Sequence, residues 1–157
     1  MLFDDRYEIL HNGIDAGKVV LTNDEYFTRG STALLDAVGK TINDVGKRLS
    51  ETPESLRPGK VIFVITTDGL ENASKEFSYD EVKKMIAHQS EKYSWEFVFM
   101  GANIDVVKEG SKLGISESRS FSFSANQAGV RAMYSSVESF CDTIRSAKPG
   151  QRKKETT

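Results

Sequence analysis

A chain of 157 residues with 38% hydrophobic and 28% charged residues has the make-up of one globular domain with room for a sizeable core. Its formal net charge of −2 gives no support to a general nucleic-acid or membrane-surface role. A lone cysteine, Cys141, excludes an intrachain disulfide framework, and no stretch has the length and apolarity of a signal or membrane-spanning segment, so a cytoplasmic setting is expected.

In chain order, Phe3 to Leu10 alternates as a half-buried strand, Asn12-Gly13 marks a turn, and Lys18 to Thr22 is expected to be a short edge strand. A polar loop with two aromatics, Tyr26 and Phe27, leads to Gly30. From Ser31 to about Leu49 the apolar residues Leu34, Leu35, Val38, Ile42, Val45 and Leu49 form a helical stripe that predicts packing on a sheet. Pro53 and Pro58-Gly59 end that region.

Val61-Ile62-Phe63-Val64-Ile65-Thr66-Thr67-Asp68-Gly69 is the most informative stretch. An unbroken β-branched and aromatic run predicts a strand buried on both faces, as in parallel sheets. It ends by delivering a carboxylate, Asp68, to the rim where open α/β sheets bind ligands. Downstream, Ser78 and Glu81 form a capping box for a helix to about Lys92, and Trp95 to Gly101 is a second buried strand. Asp105 caps a short helix through Leu113, with Gly114 at its C′ position. A strand over Arg119 to Ser124 and a helix over Asn126 to Arg145 complete the series, with Val130, Met133, Tyr134, Val137, Phe140, Cys141 and Ile144 expected on the inner helix face. The basic tail from Lys148 to Thr157 has nothing apolar to bury and is expected to be disordered.

Strands alternating with helices predict an α/β fold: a three-layer sandwich with a mostly parallel open sheet of about five strands and helices on both faces. Two chemical groups converge on one rim of such a sheet. Asp68 offers a carboxylate, and Gly30-Ser31-Thr32 opens a helix with hydroxyls. Carboxylate and hydroxyl oxygens suit a hard cation such as Mg²⁺. The plainer alternatives are that Asp68-Gly69 only makes a turn and that Ser31 or Thr32 only caps the helix.

These segments resemble the von Willebrand factor A domain, a family whose hallmark is a metal-ion-dependent adhesion site. Thr32 stands where that family places a Thr before a helix, and Thr67-Asp68-Gly69 matches its strand-end Thr-Asp-Gly. The similarity extends over residues 1–145, leaving 146–157 as the tail. The family's Asp-x-Ser-x-Ser motif is missing, and Met1 to Leu10 looks like the family's second strand, as if the first strand and helix were lost. The resemblance implies a binding module and not an enzyme. It implies that Thr32 and Asp68 are metal ligands, that Mg²⁺ binding is weak or absent because the serine ligands are lacking, and that a partner protein is engaged through an acidic residue. Two alternatives are a Mg²⁺-dependent phosphoacceptor of response-regulator type using Asp4-Asp5 and Asp68, which lacks the Lys such a site needs on a later strand, and an inert domain fragment. Loss of a central strand also leads us to expect either that Phe3–Leu10 moves across to pair with Val61–Thr66 or that another chain fills the slot. A two-fold dimer through the open edge is one outcome, and collapse to a monomer is the other.

Overall fold

The structure, a computed structural model, describes residues 1–20 and 30–147. Its centre is a parallel sheet of three strands, β3 (Ile62–Thr67), β4 (Glu96–Gly101) and β5 (Ser120–Ser122), in the order β3-β4-β5. Ile62 pairs with Glu96 and Phe99 with Ser120. Helix α1 (Leu34–Glu51) precedes β3, α2 (Tyr79–Tyr93) joins β3 to β4, α3 (Val106–Lys112) lies between β4 and β5, and α4 (Gln127–Ser146) follows β5. The alternating faces of the strands divide the core. On one face Leu34, Leu35, Val38 and Ile42 of α1 meet Val82 and Ile86 of α2, Val106 of α3, and Ile65, Phe97 and Phe99 of the sheet. On the other face Met133 of α4 covers Val98 and Met100 of β4, flanked by Val130, Val137 and Phe140.

The caps are those the residue types dictate. Ser78 and Glu81 make the reciprocal box at α2, Asp105 accepts from the Lys108 N–H at α3, and Asn126 accepts from the Gly129 N–H at α4. Gly114 takes a φ of +77° after α3, the left-handed conformation that a C′ glycine serves.

Several expectations differ from the structure. Among the described residues the parallel sheet has three strands, where about five were expected. Phe3–Leu10 is not one strand: β1 (Leu2–Phe3) and β2 (Tyr7–Glu8) fold back on each other as an antiparallel hairpin. The reversal has a local cause, because the Asp4 carboxylate turns to accept from the Arg6 N–H and closes the chain on itself. This hairpin does not cross to β3. It lies against α1, where the Tyr7 hydroxyl donates to Asp44 at 2.8 Å and the Ala33 N–H donates to the Asp4 carbonyl at 2.7 Å. Lys18 closes a 3₁₀ turn over Ala16–Lys18, so no strand starts there, and Leu21, Thr22 and the Tyr26/Phe27 loop lie outside the described residues. Tyr134 sits on the outer face of α4, 62% exposed. The expected disordered tail, Lys148 to Thr157, also falls outside the described residues.

Candidate functional site

The carboxyl end of β3 and the amino end of α1 meet at one rim of the sheet. Thr67 builds the first half. Its buried hydroxyl donates to the Gly69 carbonyl at 2.9 Å and accepts from the Gly69 N–H at 3.3 Å, which bends the chain over Asp68. Asp68 is left at the apex, exposed to solvent. Gly69 makes a close approach: a Cβ there would stand 3.0 Å from the Thr32 Oγ1. The two residues singled out from the sequence, Thr32 and Asp68, therefore lie on abutting loops, with Thr32 half-buried beside Gly69.

Thr32 does not cap α1, and neither does Ser31. The N-cap is Ala33, whose side chain has nothing to offer. The orphan N–H groups of the first turn are met instead from the loop after β3. Leu35 N–H donates to Glu71 Oε2 at 2.9 Å, Asp36 N–H donates to Ser74 Oγ at 3.0 Å, and Thr32 N–H donates to Asn72 Oδ1 at 2.9 Å. The Asn72 N–H returns a bond to the Thr32 carbonyl at 3.0 Å. Glu71 also folds its own loop, accepting from the N–H groups of Ala73 and Ser74 and from the Ser74 hydroxyl. A carboxylate at a helix N-terminus is favoured by the helix dipole as well as by these bonds.

Asp36 completes the staple from the helix side. Its carboxylate accepts from the N–H groups of Lys75, Glu76 and Phe77, each at 2.9 Å. Burial alone would push this carboxyl up, but the three N–H bonds and the nearby Lys40 ammonium outweigh it and hold the group below its ordinary value. Lys40 also bridges to Glu76 at 2.7 Å. Glu71, Asn72, Ser74 and Asp36 were not anticipated from the sequence, because each bond spans 36 to 41 positions and no local spacing announces it.

The rim offers a cation a neutral hydroxyl and one exposed carboxylate. Glu71 and Asp36 already accept backbone and side-chain bonds, and among the described residues no three His, Cys, Asp or Glu side chains are grouped to share a metal ion. Mg²⁺ takes about six oxygens in near-octahedral array, so the donors fit Mg²⁺ in kind but not in number. Asp4, the nearest candidate on the hairpin, is buried and turns a carboxylate oxygen to its own loop through the Arg6 N–H. Among the described residues no helix is long and apolar enough to cross a membrane. Compared with protein-family models, curated proteins and solved structures, the chain matches none.

Proposed function

We propose that the chain is a von Willebrand A-like protein-interaction module, not an enzyme, whose contact surface is the rim formed by Gly30–Ala33 and Asp68–Asn72 and whose metal site is incomplete. One observation carries the proposal: the Thr32 and Asp68 loops, far apart in sequence, abut at the carboxyl end of the parallel strands and are held there by the Glu71, Asn72 and Asp36 bonds. This is the end of an open α/β sheet where ligands are received. The staple fixes backbone positions at the rim while leaving the Asp68 carboxylate exposed, the arrangement a binding surface needs and a turn-former does not. Thr32 and Asp68 hold Mg²⁺ weakly, and an acidic side chain of a partner supplies a further oxygen.

Two measurements test it. Titration with Mn²⁺ alone, followed by amide signal broadening, is expected to affect Thr32, Asp68 and Gly69 first at millimolar concentration and to spare them in Asp68→Asn. Display of random peptides on the immobilised chain in Mg²⁺ is expected to enrich Asp- or Glu-containing sequences, again lost in Asp68→Asn. Broadening centred elsewhere, or enrichment indifferent to Asp68, would overturn the assignment. Micromolar Mg²⁺ affinity by calorimetry, abolished in Asp68→Ala, would show instead that the metal site is complete.

A further inference from the structure

β3 is an edge of its sheet, and its free side is well defined. The Val61 carbonyl accepts from the Glu96 N–H and the Thr67 carbonyl accepts from the Ala102 N–H, so the odd-numbered residues of the strand turn their backbone groups to β4. By alternation, Ile62, Val64 and Thr66 turn theirs to the open side, where no described residue pairs with them. The side chains of the same three residues share one face. That face is poorly covered: Val64 is 37% exposed, while Val98 beside it on β4 is 2% exposed beneath α4. Among the described residues nothing protects the edge. Ile62 to Thr67 contains no charge and no proline, and the hairpin that could have blocked it is tied to α1.

We infer that the occupant of this edge is a second copy of the chain, its β3 running antiparallel to the first about a two-fold axis through Val64. The hydrogen-bonding phase requires even residues to face even residues. Charge then selects among the permitted registers. Placing Val64 opposite Val64 sets Ile62 opposite Thr66 and, one pair further, Lys60 opposite Asp68 at both ends of the interface. Lys60 and Asp68 flank the strand, each two positions beyond Ile62 and Thr66, so the pairs fall at the two ends of the ladder. The Lys60 ammonium donates to the Ala147 carbonyl at 2.9 Å and keeps further N–H donors for a carboxylate, and opposite charges so placed attract while like charges repel. Shifting the register by one permitted step breaks both pairs. A self-complementary patch closes as a dimer and not as a filament.

The test exploits the two-fold symmetry. Sedimentation of the wild-type chain at micromolar concentration is expected to show a dimer. Lys60→Asp and Asp68→Lys each replace two attractive pairs by two repulsive ones, and each alone is expected to dissociate at least about tenfold more readily. Mixing the two variants restores opposite charges at both ends, so the mixture is expected to recover the dimer. Recovery on mixing also shows that both variants are folded. Val64→Lys, which sets like charges together on the axis, is expected to abolish association, with circular dichroism confirming the fold. A wild-type monomer, or a dimer indifferent to Val64→Lys, would overturn the inference, as would failure of the mixture to recover. The Mn²⁺ titration is run below the concentration at which two copies associate, so that failure of one test is distinguishable from failure of the other.

Discussion

Asp36 is the residue on which the rim depends. It is a buried carboxylate that stays ionised because three backbone N–H groups converge on it, and burial by itself would have done the reverse. The sign of its pH dependence follows. A carboxyl whose folded value lies below its unfolded one contributes stability that is present above the unfolded value and is lost as pH falls through the folded one. Acid titration of the folded chain is therefore expected to lose stability below the ordinary carboxylate range, about pH 4, and Asp36→Asn is expected to flatten that acid limb in urea-unfolding midpoints taken across pH. Asp36→Ala strands the three donors in a partly buried loop, and a loss on the order of 2–3 kcal/mol is expected at neutral pH. If the acid limb were unchanged in Asp36→Asn, the staple would have to be discarded as a source of stability. None of this was visible from the sequence, where Asp36 reads as one more acid in the first turn of an amphipathic helix. Asp68 was visible, since an acid and a glycine that close the Val61–Ile65 apolar run and its two threonines stand out at any scale of reading.

At the scale of elements, what was legible and what was not divide by range. The helices α1 to α4 and strands β3 to β5 follow from periodicity and caps that lie within a few residues, and their bounds fall within about three positions of those expected. The α1 start shifted from Ser31 to Leu34 because its cap comes from another segment. The hairpin was misread as a strand because the Asp4–Arg6 turn competes with extension through a single side chain, a local option that alternation of apolar residues does not register. The same loop makes a demand on the middle of α1. Gly39 is a poor helix former, and replacement by Ala would ordinarily help by about 1 kcal/mol. Here a Cβ would stand 2.7 Å from the Phe77 ring. Gly39→Ala is therefore expected to destabilise by about 1–2 kcal/mol net, read as a lower urea midpoint, since overpacking outweighs propensity. Glu71→Ala is expected to cost about 1–2 kcal/mol and to speed amide exchange at Leu35, Ala73 and Ser74 while leaving α2 protected. An unchanged exchange rate at Leu35 would show that the cap supplied across the loop contributes little.

For the whole molecule, the decisive feature is the open side of β3. β4 is covered on both faces and paired on both sides, so Phe99 and Val98 reach 0% and 2% exposure, whereas among the described residues β3 is paired on one side only. Hydrogen exchange should register this as an alternation along a single strand. In dilute solution the amides of Phe63, Ile65 and Thr67, turned to β4, are expected to exchange with the slow core of the sheet. Those of Ile62, Val64 and Thr66, turned to the open edge, are expected to exchange faster, because no ladder must break to expose them. Raising the concentration into the range where two copies associate is expected to slow Ile62, Val64 and Thr66, Val64 most because it sits at the centre of the new ladder while the ends fray, and to leave the odd residues where they were. Uniform exchange along β3 at every concentration would mean that the open side is already satisfied by another segment of the chain. Protection that rises at odd and even residues alike would mean that association acts through general stabilisation and not through the edge. A concentration-dependent slowing confined to Ile62, Val64 and Thr66 can come only from a strand laid against that side of the sheet.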